Sequence, residues 1–165
     1  MPTDTIYGIV GSALSVPTIN RIYTLRKRNP EKPSIILIGD AKELEKFSVV
    51  LSSEQEDRVK TYWPGPTSII LDCPGTEFSY LHRGTKTLAF RMPVKQELRD
   101  LLIKTGPLIA PSANPEGLTP AQNISDAQNY FGENVDLYID GGILVGKPSK
   151  IIKLHKDGTV NILRE

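Results

Sequence analysis

The run Ser34-Ile35-Ile36-Leu37-Ile38 constrains this chain more than any other stretch. It carries no charge and no polar alternation, so it reads as a strand buried on both faces. A strand covered twice needs a layer on each side, which points to helices flanking a sheet. Residues 67–73 and 87–91 are apolar and β-branched in the same way, and residues 108–110 form a shorter strand. Helices alternate with them. Ser15 caps one over residues 16–27, with Ile19, Ile22, Tyr23 and Leu25 on its buried face, and Pro30 and Pro33 prevent its continuation. Asp40 with Glu43, and Ser53 with Glu56, read as capping boxes, the second opening a helix that runs to Trp63 and the turn Pro64-Gly65-Pro66. Residues 95–105 form a helix closed by Gly106, and residues 125–131 another, followed by a strand at 136–139. Strands at 149–154 and 159–163 are joined by Asp157-Gly158, a hairpin signal. At the start, Pro2-Thr3-Asp4-Thr5-Ile6-Tyr7-Gly8 reads as a short strand running into a glycine turn, with hydroxyls on one face. The expected architecture is α/β: a single domain over residues 1–165, with a twisted, mixed, open sheet and flanking helices.

Composition narrows function by exclusion. A net charge of +1 announces no nucleic-acid partner, so any basic surface is local. One cysteine, Cys73, excludes an internal disulfide and fits a reducing cytosol; with only His82 and His155 besides, a protein-built zinc site is not expected. No apolar run approaches the ~18–20 residues of a membrane span, and no signal-peptide pattern is present. The reading is a cytoplasmic protein with no membrane partner. Neither G-x-x-x-x-G-K-[ST] nor G-x-G-x-x-G occurs, and no histidine-centred triad or carboxylate cluster is visible.

What remains is a recurring arrangement of small hydroxyls and arginines at strand or helix ends beside glycine or proline. Arg26-Lys27-Arg28 with Lys32 places four positive charges in seven residues at a helix C-terminus. That suits the helix dipole, and it equally suits an anion, which arginine grips bidentately. Arg91 ends the apolar strand Leu88-Ala89-Phe90, either laying its stem along the core or reaching a ligand. Arg164 follows Ile162-Leu163 in a similar way. Ser112 and Asn114 stand where a strand gives way to a loop, as a turn or at a ligand crevice. An enzyme with these residues works by positioning anions, not through a covalent intermediate.

Taken in order, these segments resemble the YrdC-like family of threonylcarbamoyl-AMP synthases. Pro2-Thr3-Asp4-Thr5-Ile6-Tyr7-Gly8 is similar to its opening P-T-[DE]-T-x-Y-G, and Arg26-Lys27-Arg28 with Lys32-Pro33 to its K-x-R…K-P. Trp63-Pro64-Gly65-Pro66-Thr67, Arg91-Met92-Pro93, Pro111-Ser112-Ala113-Asn114, Gly146-Lys147-Pro148-Ser149 and Ile162-Leu163-Arg164 resemble further motifs of the family, and the set spans nearly the whole chain. The resemblance implies a YrdC/RibB-like fold and an ATP-dependent condensation of L-threonine with bicarbonate or CO₂. Threonylcarbamoyl-AMP and pyrophosphate would result, as the first step of threonylcarbamoyladenosine modification of tRNA.

By the same resemblance, Thr3, Tyr7, Arg91, Ser112 and Ser149, supported by Thr5, are assigned to threonine and its carbamate. Arg26, Arg28, Lys32, Asn114 and Arg164, supported by Thr87, are assigned to ATP. Arg26, Arg28 and Arg91 are the expected catalytic residues. Mg²⁺ would arrive on the ATP phosphates, with no protein ligand, and the implied partners include the proteins of the threonylcarbamoyl-transfer complex.

The chain departs from the pattern in four places. The first helix and the start of the first strand that members carry are expected to be absent. Arg26 replaces the usual lysine. Glu116 puts a negative charge near the expected phosphates, and Lys150 follows Ser149, where it could offset Glu116. The alternative reading is a non-catalytic module for double-stranded RNA or tRNA, built on Arg26, Lys27, Arg28, Lys32, Arg83, Lys86, Lys147 and Lys150. A carbamoyl-transfer domain of the hydrogenase-maturation type shares the fold, but its zinc-finger segments are not present.

Overall fold

A computed structural model describes residues 1–165. Seven strands form one sheet: β1 (Gly11–Ser12), β2 (Ile35–Leu37), β3 (Thr67–Asp72), β4 (Thr87–Arg91), β5 (Leu108–Ile109), β6 (Lys150–Leu154) and β7 (Val160–Arg164). Their order is β1-β5-β2-β4-β3-β6-β7; β2–β4 and β3–β6 are parallel and the other neighbours antiparallel, so the sheet is mixed. Five α-helices accompany it: α1 (Val16–Leu25), α2 (Ser53–Tyr62), α3 (Ser79–His82), α4 (Gln96–Thr105) and α5 (Ile124–Phe131).

Strand register sorts the side chains into two faces. Ile36, Phe90, Ile69 and Ile152 are paired across four strands, and all are fully buried in the main core with Ile19, Ile22 and Val59. Their neighbours Ile35, Ala89, Ile70 and Lys153 form the parallel row on the other face and are only partly covered. At one end of that second face, Leu98 and Leu102 of α4 close over Leu37 and Leu108. The rest of the face stays open and receives the site.

α1 shows how the sequence sets an element's limits. Ser15 accepts a hydrogen bond from Thr18 N, and Pro17 sits in the first turn, where a missing N–H costs nothing. The helix ends at Leu25, two residues earlier than its apolar spacing predicts. Lys27 turns left-handed at φ 49°, its N–H bonds Thr24 O, and Arg28 N bonds Tyr23 O. That is the double bond of a Schellman stop, with lysine where glycine is usual. The turn places Arg26 in one hollow and Lys27 in another, with Arg28 reaching both.

Several expectations shift. Residues 2–8 form no strand; single bridges join Pro2 to Tyr7 and Gly8 to Ser112, and the first strand is β1. Thr3 holds the intervening turn, its hydroxyl donating to Ile6 O and accepting from Thr5 N and Ile6 N, a local bond set that competes with a ladder. The capping box of α2 is Ser52 with Gln55, one residue before the expected pair. Asp40 caps a 3-10 segment over Ala41–Phe47, but Glu43 reaches Gly39 N, so its box is incomplete. Residues 136–139 form no strand, and the loop after β3 contains α3. No helix is long and apolar enough to cross a membrane.

Candidate active site

A cleft of about 200 Å³ opens on the uncovered face. Its walls come from distant parts of the chain: Thr3 and Thr5 from the opening turn, Arg26 and Arg28 from the end of α1, Arg91 from β4, Ser112 after β5, Ser149 before β6 and Arg164 from β7. Four arginines line it and no carboxylate does. A lining of that kind attracts anions and offers a metal no ligand of its own. No group of three or more His, Cys, Asp or Glu side chains is placed to hold a metal ion anywhere in the chain.

Each arginine is fixed by groups behind the cleft. Arg26, 3% exposed, donates through Nε to Asn114 O at 2.9 Å and through Nη2 to Ser112 Oγ at 3.1 Å. Arg28 donates to Pro33 O at 2.8 Å, and Arg164 lays its fork on Ser149 O at 3.0 and 2.7 Å. Arg91 pairs with Asp4 and donates to Thr5 Oγ1 at 3.3 Å, while Asp4 also accepts from Val94 N at 3.1 Å. Two buried N–H positions, Arg26 Nη1 and Arg91 Nε, have no protein partner. Buried donors are nearly always satisfied, so a pair left free in a basic cleft marks where a ligand's oxygens belong. Burial, with Arg28 nearby, lowers the Arg26 pKa to about 10, and burial lowers that of Arg164 as well. Arg26 stays charged at neutral pH while losing water that an anion can replace.

The residues expected at the site separate into three groups. Thr3, Thr5, Arg26, Arg28, Arg91, Ser112, Ser149 and Arg164 are brought together around the cleft. Tyr7, Asn114 and Lys32 lie close by but are committed to the protein itself. The Tyr7 hydroxyl, buried, donates to Gly142 O at 2.7 Å and accepts from Gly141 N at 2.9 Å, tethering the 140–142 loop. The Asn114 amide donates to Pro115 O and Leu118 O, and its oxygen faces Arg26. Lys32 pairs with Glu116 at 2.8 Å. Thr87 is not at the cleft: it begins β4 while Arg91 ends it, so it lies at the opposite end of the sheet with its hydroxyl on Thr85.

Glu116 is held in place, not left facing the cleft. Its carboxylate takes Lys32 and Asn29 N, which brings its pKa down to about 2, and its own N–H bonds Arg26 O. Lys150 does not offset it; Lys150 pairs with Glu165 at 3.1 Å.

Three contributors were given no role from sequence, although Asp4 and Gly146 fall within the motifs quoted above. Asp4 was visible only as one letter of a motif, since its partner is 87 positions away. Ser68 shares a hydrogen bond with Ser149 at 2.8 Å from a fully buried strand position. Gly146 lies so close to the opening turn that a Cβ there would stand 1.8 Å from Thr5 O.

Comparison with known proteins adds a family to this geometry. A family model that joins Sua5, YciO and YrdC, described as "Telomere recombination", matches residues 1–165. Over 156 residues the chain is 31% identical to the threonylcarbamoyl-AMP synthase of Pyrococcus abyssi, covering 93% of this chain and 46% of that protein. It is 29% identical to the Hahella chejuensis protein of the same name, covering 91% and 83% respectively. Among solved structures, P. abyssi Sua5 complexed with L-threonine superposes with a TM-score of 0.86 at 30% identity, over 99% of this chain and 48% of that one. E. coli YciO superposes with a TM-score of 0.83 at 25% identity, over 99% and 80%. The chain thus spans about half the length of the P. abyssi relative and most of the shorter ones. By fold, by ordered motifs and by a match along its whole length, the chain belongs to the YrdC/Sua5 family.

Proposed function

We propose that the chain condenses L-threonine, bicarbonate or CO₂, and ATP into threonylcarbamoyl-AMP with release of pyrophosphate. The observation that carries the proposal is the arginine-lined cleft with two free buried N–H groups. The threonine carboxylate, the carbamate and the ATP phosphates are all anionic, and such a cleft suits that demand. At about 200 Å³ it is small for a whole nucleotide and matches an amino acid with one phosphoryl group, the remainder of ATP lying along the mouth.

In this reading the neutral threonine amine adds to CO₂ and loses a proton to water, giving an N-carboxylate. Arg91, with its free Nε, and the hydroxyls of Thr5 and Ser149 hold the carboxylate and carbamate oxygens, while Thr3, its proton committed to Ile6 O, keeps the turn that presents Thr5. One carbamate oxygen bonds to the α-phosphorus as the bridge from the α- to the β-phosphorus breaks, and the bridging electron pair leaves on pyrophosphate. Arg26, Arg28 and Arg164 face the phosphoryl oxygens and stabilise their charge in the transition state. Asp4 orients Arg91, and Asn114 and Ser112 orient Arg26. Mg²⁺ enters as the counter-ion of ATP, since no carboxylate lines the cleft to bind it.

Pyrophosphate release from ATP is the test, with and without L-threonine and bicarbonate and with serine as the competitor. Release that needs both co-substrates, and favours threonine over serine by about tenfold or more for its extra methyl group, is expected. Release independent of threonine would refute the proposal.

A further inference from the structure

At the rim of this cleft, three neighbouring cations, Lys27, Arg28 and Arg83, have no carboxylate partner. α1 and α3 end side by side, and at the C-terminus of each the chain turns left-handed on a cationic residue: Lys27 at φ 49° and Arg83 at φ 51°. Glycine usually takes such a position, and a residue with a side chain costs about 1 kcal/mol or more there. Arg83 lies on the Tyr23 ring, its guanidinium carbon 4.4 Å from the centroid, and Arg28 approaches the same ring at 6.0 Å. Together they line a shallow depression of about 360 Å³. Arg28 also lines the main cleft, so the two are contiguous.

Cations at helix C-termini are common because they offset the exposed carbonyls. That explanation leaves the side-chain donors themselves unused here. The side chains of Lys27 and Arg83 donate to no carbonyl, and Lys27, Arg28 and Arg83 form no ion pair. Arg83 Nε is buried with no partner at all. No carboxylate lines the depression. Two guanidiniums over one aromatic ring, with Lys27 in the same depression, repel each other, and an anion among them reverses the sign of that interaction.

We propose that Lys27, Arg28 and Arg83 form an outer anion site that takes the β- and γ-phosphates of the nucleotide, Arg28 being shared with the inner cleft. The assignment rests on the reaction proposed above. As the carbamate oxygen bonds to the α-phosphorus, the electron pair of the broken bridge stays on pyrophosphate, and this site stabilises that charge without a proton transfer. The strained backbone at Lys27 and Arg83 is then the means of aiming both side chains at one point.

The test is calorimetric binding of ATP, AMP and inorganic pyrophosphate to the intact chain and to Lys27→Gln and Arg83→Gln. Each substitution is expected to weaken ATP and pyrophosphate by about tenfold or more, as for the loss of one charged contact, and to leave AMP unchanged. Lys27→Gly separates site from scaffold: it relieves the left-handed strain, so its thermal midpoint rises while ATP affinity falls. Unchanged ATP and pyrophosphate affinity in all three variants would overturn the site, as would a loss confined to duplex RNA. Because pyrophosphate binding needs no turnover, the outcomes are separable. An intact chain that binds pyrophosphate through Lys27 and Arg83 but never releases it from ATP keeps this site and refutes the reaction. Threonine-dependent release with unchanged variants does the reverse.

Discussion

Replacing Asp4 by alanine tests how the cleft is held together. Asp4 and Arg91 are 5% and 4% exposed, so the substitution leaves a guanidinium buried without its counter-charge. Breaking such a pair from one side costs about 3–5 kcal/mol. The bond from Val94 N adds little, because Val94 is exposed and water replaces the carboxylate. Against a total stability of about 5–15 kcal/mol the loss is roughly a fifth or more. At a urea slope of about 2 kcal/mol per molar, the midpoint falls by roughly 1.5–2.5 M. Arg91→Met alone is expected to cost a similar amount, since it strands the carboxylate instead. The double variant Asp4→Ala/Arg91→Met should be more stable than either single one, because no buried charge is left unpaired. Urea unfolding of all four proteins gives the coupling directly. Single substitutions costing under about 1 kcal/mol, or costs that simply add, would refute the reasoning.

Three further outcomes are expected. Tyr7→Phe removes both bonds to the 140–142 loop and should cost about 1–2 kcal/mol, with faster proteolysis near the exposed Ile143 and Val145; an unchanged cleavage rate would mean the tether is idle. Gly146→Ala forces a methyl against Thr5 O and should cost about 1–3 kcal/mol while raising the KM for threonine, which thermal melts and initial rates would show. The Glu116 carboxyl is held from 4.5 down to about 2, so its contribution to stability is complete above pH 4.5 and is lost as pH falls through about 2. Glu116→Gln should flatten the pH dependence of stability across that window, and identical slopes would discard the Lys32 and Asn29 contacts as its cause.

The sequence carried the sheet well where strands are buried on one face or both. Residues 67–73 and 87–91 read as strands because their apolar content survives any register, and β3 and β4 stand there. The opening seven residues misled, because a threonine in a turn and a threonine in a strand show the same alternation; Thr3 satisfies the local backbone instead of a neighbour. At the site, sequence showed which residue types could serve but not which were already engaged. Nothing local to Tyr7 reveals that its hydroxyl is satisfied by the loop at 140–142, and Asn114 spends its amide on the loop it begins, at Pro115 O and Leu118 O. Thr87 and Arg91 were adjacent to the eye, yet a strand carries them to opposite ends of the sheet. The Asp4–Arg91 pair needed three dimensions, since nothing at either position indicates the other.

The cleft is walled by residues made early, Thr3 and Thr5, and by residues made late, Ser149 and Arg164. Its assembly therefore waits on closing a very long loop, a slow step in folding. During synthesis the chain emerges amino end first, so the opening turn spends most of that time without its partners. Until β6 docks on β3, the Thr67–Asp72 edge also stands unpaired, an apolar border that invites association with other chains. A chain interrupted before residue 149 thus lacks one wall of the cleft and leaves an apolar edge bare. The closed cleft and the covered edge arrive together, with the same hairpin.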